Sequence, residues 1–353
     1  MDKRIRVAVV GTGKIAEARI PVYLSDKDVD LVALVDIDTK IAERAARKFG
    51  VKMSFASVDE LFEKQEVDAV SICTPPHTHA DLALKVLNYG AHVLCEKPMA
   101  NDTKKGKEMF EASRAKKKIL MISSIRRFVP TFQRARERIL KGALGHVYCI
   151  EDVQLSSSPL YAWGKSPWYY HPEGGGVLFD QGPHCFDLIN YLYGDLPNAV
   201  LAHGSTYLDS PVEDCCICIL EYPENKVGVG TMSWLASVTM GNTNIHGTVE
   251  TVQILQNLFL EVNRTDIPEI SLWRELSLHL IGLKFPNFPI LRIPKNVAPL
   301  KLETNYFIEQ IKQERIFSLS ALNALNVLIT IDAAKRSLKE NKRIKIASIK
   351  QSQ

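Results

Sequence analysis

Short apolar runs, each the length of a buried strand, recur along the first third of the chain and alternate with segments of helical periodicity. The runs lie at residues 5–10, 31–35, 69–74, 92–96 and 119–123. Strands of a parallel sheet have this composition because helices cover both faces of the sheet. The alternation therefore predicts an α/β fold with a doubly wound parallel sheet, in which ligands bind at the carboxyl ends of the strands.

The turn after the first predicted strand is rich in glycine and opens a helix. It reads Gly11-Thr12-Gly13-Lys14-Ile15-Ala16 and fits the pattern G-x-G-x-x-A. In this pattern the first glycine permits a tight turn, the second lets the backbone approach a pyrophosphate, and the small last residue lets the helix pack on the strand. The helix N-terminus offers free N–H groups to an anion. Residues 11–15 are therefore predicted to bind a dinucleotide.

An acidic residue, Asp36, ends the second predicted strand, 20 residues after Ala16. At this position a carboxylate accepts hydrogen bonds from the adenosine ribose. A 2′-phosphate would face Asp36 and Asp38, so like-charge repulsion favours NAD over NADP as the cofactor. Lys40 and Arg44 lie downstream and could soften this preference. The alternative is that Asp36 only caps the strand end.

Two further sites carry groups suited to acid–base chemistry. Asp180 and His184 lie four residues apart, one helical turn, after a glycine triplet at residues 174–176. Histidine titrates near neutral pH, which suits a general acid or base. Lys97 and Pro98 follow another predicted strand, and an ammonium there would donate to a reacting oxygen and stabilise alkoxide character.

Three motifs resemble those of the Gfo/Idh/MocA family of oxidoreductases, which includes inositol and sugar-nucleotide dehydrogenases. They are TPPHTH at residues 74–79, EKP at 96–98 and GGGVLFDQGPHCFD at 174–187. The resemblance implies a Rossmann domain at residues 1–123. It also implies an α/β domain at residues 124–353, with a large, mostly antiparallel open sheet for substrate binding and oligomerisation.

The resemblance also implies roles for individual residues. Lys97, Asp180 and His184 match the family's catalytic trio, and the Lys97-Pro98 peptide bond is expected to be cis. Pro76 departs from the family pattern, in which Asn is often found. For His77 and His79, which flank a helix start, a structural role is weighed against a catalytic one. The cofactor contacts expected beyond the glycine turn and Asp36 are Thr74, Pro75, His79, Glu96 and Lys97.

Candidate substrate contacts lie beside this trio. Trp168 belongs to an aromatic cluster within residues 163–170, and sugars present apolar C–H faces that stack on such rings. Plain packing is the alternative for Trp168. Arg126 and Arg127 are expected on a strand, where adjacent side chains diverge, so that one of them could anchor a substrate phosphate or carboxylate.

These features favour an NAD-dependent oxidoreductase that acts on a secondary hydroxyl of a sugar, cyclic polyol or sugar nucleotide. Two alternatives remain open. Some proteins that resemble this chain hydrolyse glycosides through a transient oxidation, with no net change in NAD. A sensor that binds the cofactor without turnover is the other alternative, although such a protein should lack one of the trio.

The composition limits the partners. The 44 basic and 40 acidic residues are too balanced for nucleic-acid binding. No apolar run reaches the roughly 18 residues that span a bilayer, so stable membrane insertion is not expected. Seven cysteines without a secretory signal favour the cytoplasm. Cys215, Cys216 and Cys218 lack a second ligand pair, so packing is expected rather than metal binding.

A homodimer or homotetramer is expected, because family members commonly cover the open sheet with a second subunit. The apolar, proline-punctuated segment 270–300 is interpreted as a subunit contact. A lid over the substrate and a membrane-surface patch are the alternatives for this segment.

Overall fold

The computed structural model describes residues 4–157, 174–208, 210–237, 239–255, 299–315, 319–347 and 349. The chain divides into two compact units: residues 1–128, 296–332 and 349–353 form the first, and residues 129–295 and 333–348 form the second. The C-terminal segment thus returns to the first unit, which a single boundary after residue 123 did not anticipate. Trp168 and segment 270–298 lie outside the described residues, so the predictions for them stay predictions.

The first unit contains a six-stranded sheet in which every pairing is parallel. Its strand order is β3-β2-β1-β4-β5-β6, so the order reverses between β1 and β4. This is the order of a doubly wound dinucleotide-binding sheet, and it confirms the fold class predicted for the first part of the chain. The strands are β1 (Ile5–Val10), β2 (Val29–Val35), β3 (Met53–Phe55), β4 (Ala69–Ile72), β5 (His92–Cys95) and β6 (Leu120–Ile122).

Helices connect these strands, and local sequence signals set several of their ends. The Asp38 carboxylate accepts from two backbone N–H groups at the start of the second helix, which ends at Gly50 in the left-handed conformation. Ser57 caps the third helix by accepting from Glu60 N at 3.2 Å. The helices are α1 (Lys14–Ser25), α2 (Thr39–Phe49), α3 (Val58–Lys64), α4 (His79–Asn88) and α5 (Thr103–Ala115).

The second unit contains a seven-stranded sheet in the order β12-β11-β7-β10-β9-β8-β13. Only β7 and β10 pair in parallel, and the other five pairings are antiparallel. The mostly antiparallel sheet is therefore confirmed. Its strands are β7 (Val147–Leu155), β8 (Ala199–Ser205), β9 (Cys215–Glu221), β10 (Val227–Ser233), β11 (Met240–Gly247), β12 (Thr251–Leu255) and β13 (Ile344–Lys345).

One long helix lies against this sheet, and two glycines let it come close. A Cβ added at Gly228 would lie 2.9 Å from Ile189 Cγ2, and one at Gly230 would lie 2.7 Å from Cys185 Sγ. Larger residues at these two positions would therefore push the helix away. The remaining helices are α6 (Pro130–Leu140), this helix α7 (Gly176–Tyr193), α8 (Pro299–Lys312) and α9 (Leu319–Glu340).

The β9 cysteines divide between the two faces of the strand. Cys216 and Cys218 are buried, with their Sγ atoms 3.7 Å apart, whereas Cys215 is partly exposed. Across the described ranges, no group of three or more His, Cys, Asp or Glu side chains could hold a metal ion. No helix within them is long and apolar enough to span a bilayer. The cytoplasmic location expected from the sequence stays a prediction.

Candidate active site

The glycine turn after β1 lies where two strand ends approach each other. Gly11 has φ of +83°, and an added Cβ would lie 2.9 Å from the carbonyl atoms of Cys73 and 2.7 Å from Thr74 Cγ2. A side chain there would collide with backbone that cannot move aside. Gly11 thus brings Thr74, a predicted cofactor contact, directly against the turn at the point where the strand order reverses.

Gly13, unlike Gly11, borders open space. It precedes the first residue of α1, and no side chain caps the start of this helix. A Cβ added at Gly13 would meet no protein atom within 4 Å. Open space therefore borders the first N–H groups of α1, with Lys14 and Ile15 exposed beside it. This geometry fits a pyrophosphate, as the sequence predicts.

The Asp36 carboxylate is fixed at the end of β2. Its Oδ2 accepts from Thr12 N at 2.9 Å and from Thr12 Oγ1 at 2.8 Å, and its Oδ1 accepts from Asp38 N at 3.1 Å. An ionised carboxylate has about four acceptor positions, so capacity remains for a ribose diol. The next residue, Ile37, is 95% exposed. Sequence reasoning missed this apolar surface, which suits contact with a flat base.

His79 lies inside the first unit rather than on its surface. Its ring is fully buried, with Nδ1 2.8 Å from the Pro98 carbonyl oxygen and Nε2 2.8 Å from that of Thr74. Burial lowers the pKa of His79, and hydrogen bonding to the two carbonyls opposes this shift. The side chain therefore ties the loop after β4 to the loop after β5. This arrangement favours the structural role over direct cofactor contact.

The loop after β4 is held by Thr78. Its hydroxyl donates to Thr74 Oγ1 at 2.6 Å or to the Pro75 carbonyl oxygen at 2.8 Å. The backbone N–H of Thr78 donates to the same carbonyl at 3.0 Å. The predicted cofactor residues Thr74 and Pro75 thus occupy one compact turn beside Gly11.

Glu96 belongs to a buried charge cluster that the sequence did not reveal. Arg19 of α1, which is 1% exposed, donates to Glu96 Oε1 at 2.6 Å and to Glu303 Oε2 at 3.0 Å. Glu303 also accepts from Ser123 Oγ and from Ser124 N. One guanidinium thus joins the cofactor helix, the strand end before Lys97 and helix α8. Glu96 is therefore a buried partner of Arg19 directly before Lys97.

Lys97 is half-buried between buried neighbours, and its peptide bond to Pro98 is cis, which confirms that expectation. Arg126 and Arg127 differ from the expectation, because they lie on a short 3-10 helix, Ile125–Phe128, and not on a strand. Arg126 is buried and Arg127 half-buried. The segment is too short for a strand, since helix α6 begins at Pro130 directly after it. Their predicted substrate contact stays a prediction.

Helix α7 is buried on nearly its whole circumference. Of its 18 residues, all are buried except Asp180, His184 and Tyr191. A helix enclosed in this way exposes a polar side chain only where a ligand or solvent can reach it. The sequence prediction that Asp180 and His184 share one face is confirmed, because they form a single accessible stripe one turn apart.

Both units match models of one protein family. Residues 5–124 match an oxidoreductase family with an NAD-binding Rossmann fold, GFO_IDH_MocA, and residues 132–253 match the GFO/IDH/MocA C-terminal domain. The chain belongs to the Gfo/Idh/MocA family. The first unit accordingly contains an NAD-binding Rossmann fold, and the geometry at Gly11, Gly13 and Asp36 agrees with it.

Individual relatives cover part of this Gfo/Idh/MocA protein. It is 31% identical over 191 residues to D-glucoside 3-dehydrogenase of Escherichia coli K12, covering 54% of each chain. It is 30% identical over 210 residues to inositol 2-dehydrogenase of Rhizobium meliloti, covering 60% of this chain and 61% of the relative. The matched region thus spans little more than half the length of these relatives.

The fold extends further than the sequence similarity. The crystal structure of GenD2 from gentamicin A biosynthesis, in complex with NAD, aligns with a TM-score of 0.83 at 24% identity and covers 98% of this chain and 97% of that one. At this identity the likeness shows the shared fold alone.

Two residues that sequence reasoning missed hold the Asp-His helix in this Gfo/Idh/MocA protein. Trp234 Nε1 donates to Asp180 Oδ2 at 3.3 Å. Glu213 Oε1 accepts from Leu178 N at 3.0 Å in the first turn of α7, and burial raises the pKa of Glu213. Glu213 lies just before β9 and Trp234 just after β10, both far from Asp180 in sequence, so neither periodicity nor a local motif could identify them.

Proposed function

We propose that this protein is an NAD-dependent dehydrogenase acting on a secondary hydroxyl of a sugar, cyclic polyol or sugar nucleotide, in either direction. The accessible pair Asp180 and His184 on the largely buried helix α7 carries the proposal. A carboxylate and an imidazole one turn apart are the two ionisable groups of this helix that a substrate can reach. The dinucleotide turn supplies the second requirement of hydride transfer, a place for the cofactor.

Each member of the trio has a distinct task. Bound NAD supplies the hydride acceptor in oxidation, and NADH supplies the donor in reduction. His184 takes the hydroxyl proton during oxidation and returns it during reduction. Lys97 donates a hydrogen bond to the reacting oxygen and stabilises its alkoxide character. Asp180 orients the imidazole or binds a neighbouring substrate hydroxyl. Arg126, Arg127 and Trp168 remain candidate anchors for the rest of the substrate.

The preference for NAD over NADP rests on two carboxylates. Asp36 lies where the adenosine ribose is expected, and Asp38 follows it. The Asp38 carboxylate accepts from Lys40 N at 2.9 Å and Ile41 N at 3.3 Å, so it occupies the N-terminus of α2. A 2′-phosphate would need that helix end and would meet negative charge there.

The substrate class is tested by assay of the purified full chain against glycosides, inositols and nucleotide sugars with NAD or NADP. We expect absorbance of NADH to rise with at least one substrate, and with NAD more than with NADP. Glucosides and inositols are assayed first, because the two relatives described above are named as dehydrogenases of these compounds. Release of sugar from an aryl glycoside without net NADH would favour the glycosidase. Cofactor binding without turnover on any substrate would favour the sensor.

We further propose that a second copy of this chain covers the face of the second sheet that is opposite α7. Leu201, Ile217 and Ile219 point outward there and are 41%, 43% and 39% exposed, and Leu201 lies directly opposite Ile219. The neighbouring outward residues of β10, Val229 and Thr231, are uncharged. Glu151 of β7 lies at the border of this patch, opposite Val229. An identical patch can therefore meet it with uncharged side chains at the centre of the contact.

A charged substitution on this face should dissociate the assembly. In Ile219→Arg a guanidinium would be buried without a partner at the contact, so we expect monomers by light scattering where the parent chain is a dimer or tetramer. Leu140→Arg is the matched control, because Leu140 is a 68% exposed residue of α6 away from the sheet. A monomeric parent, or an Ile219→Arg variant of unchanged mass, would refute this interface.

A further inference from the structure

Trp234 follows the last residue of β10, and both its side chain and its backbone N–H form hydrogen bonds. Its side chain is 1% exposed, and its indole Nε1 donates to Asp180 Oδ2 at 3.3 Å. Its backbone N–H donates to the Asp214 carbonyl oxygen at 2.9 Å. The ring therefore has little freedom to turn, and the direction of its N–H bond is set by the surrounding fold.

The dipeptide Glu213–Asp214 also sets the start of α7. The Glu213 carbonyl accepts from Val177 N at 2.9 Å, and its Oε1 accepts from Leu178 N at 3.0 Å. Gly176 makes room for this carboxylate, since an added Cβ would lie 2.4 Å from Glu213 Cδ. Trp234 and the first turn of α7 are thus attached to adjacent residues just before β9, which restricts their relative position.

An indole N–H can donate but cannot accept, so a buried tryptophan needs an acceptor in a fixed direction. The accessible Asp180 supplies that acceptor with one of its two oxygens. A partly exposed aspartate would otherwise sample several rotamers. The hydrogen bond to the indole favours the rotamer that brings Oδ2 to this donor, and so restricts the orientation of the carboxylate.

We propose that Trp234 is a positioning residue that fixes the Asp180 carboxylate for catalysis. The inference rests on the proposed function, in which Asp180 orients His184 or binds a substrate hydroxyl. Trp234 itself is too deeply buried to touch substrate. Loss of its N–H should therefore reduce turnover only through Asp180, and that dependence separates positioning from a general contribution to the fold.

The kinetic test is a double-mutant cycle in the full chain. Trp234→Phe removes the N–H and keeps a ring, and we expect kcat/KM to fall about tenfold, because small misplacements at an active site are costly. In an Asp180→Ala background the same change should cost less than about twofold, since the contact is already gone. An equal loss in both backgrounds would show a purely structural effect and overturn the proposal.

Tyr222→Phe is the matched control. The Tyr222 hydroxyl is buried and donates to Asn190 Oδ1 at 2.6 Å, on the same helix but away from Asp180. This variant also removes one buried donor from an aromatic side chain that holds α7. We expect its kcat/KM to stay within about twofold of the parent, because Asp180 keeps its partner. A loss as large as that of Trp234→Phe would contradict a specific role for the indole.

A second measurement does not depend on turnover. In protein labelled with ¹⁵N-tryptophan, the indole signal of Trp234 is identified by its loss in Trp234→Phe, among the four tryptophans of the chain. Asp180→Ala should shift this signal. An unmoved signal overturns the proposal whatever the kinetics show. If no substrate is turned over but the signal shifts, the contact stands and the proposed function alone fails.

Discussion

Replacement of His184 by alanine is expected to lower kcat by roughly two to four orders of magnitude on any substrate identified with NAD. The imidazole is the group assigned to move the hydroxyl proton, and water at its place would be a weaker base in a poorer position. Binding of NAD should be unchanged, because the glycine turn and Asp36 belong to the other compact unit. The measurements are NADH absorbance for turnover and calorimetric titration for the cofactor.

Two controls sharpen this expectation. His146→Ala removes an exposed histidine of the same unit, directly before β7, and should leave kcat within about twofold of the parent. Added imidazole should restore part of the activity of His184→Ala by supplying the missing base. A variant that keeps its activity to within about tenfold, with no response to imidazole, would remove His184 from the mechanism. A sensor would keep its function in this variant.

Replacement of Arg19 by methionine is expected to cost the first unit about 3–5 kcal/mol of unfolding free energy, because it leaves buried carboxylates without their cation. Methionine roughly preserves the length of the side chain but provides no donor. The melting temperature of this unit should fall by roughly 6–20 °C. Thermal and denaturant unfolding, followed by circular dichroism, provide the measurement.

The pH dependence of that loss distinguishes charge from packing. Burial raises the pKa of Glu303, and Arg19 partly offsets this shift. Without Arg19, this pKa should rise further, so Glu303 becomes neutral as the pH falls and the buried-charge penalty shrinks. We therefore expect Arg19→Met to be more destabilising at pH 8 than at pH 5. A pH-independent loss would indicate packing alone.

Arg343→Met is the matched control for the charge cluster. Arg343 donates to both oxygens of Glu221 at 2.6 Å, but this pair lies on the surface. Water screens such a pair and solvates the carboxylate that remains. We expect little change in melting temperature, and a loss comparable to that of Arg19→Met would contradict the assignment of the effect to burial.

Local patterns were sufficient to predict the elements that build the nucleotide site. The apolar run at residues 5–10 is β1 itself, and the Ser57 side chain caps the start of α3. These signals are local because strand burial and helix capping depend on neighbouring residues. The Asp180–His184 pair was predicted from helical spacing, and the structure added that their stripe is the accessible one.

Contacts between distant parts of the chain could not be predicted in this way. Arg19 and Glu303 lie 284 residues apart, and no periodicity connects them. Nothing in the sequence around Trp234 indicates that its indole N–H donates to Asp180. The strand expected at Arg126 failed for a related reason, because tertiary context overrides weak β-propensity in a short segment. Helix α6 was missed because its many charged residues masked its buried positions.

The return of α8 to the first unit has a consequence for the order in which the molecule can be completed. During synthesis the strands of the first sheet leave the ribosome long before Glu303 does. Arg19 can therefore form its ion pair with Glu303 only after α8 has been synthesised. A fragment ending at residue 128 would lack that carboxylate permanently. Residues 1–128 therefore cannot be transferred to another protein with this buried ion pair intact unless helix α8 is transferred with them.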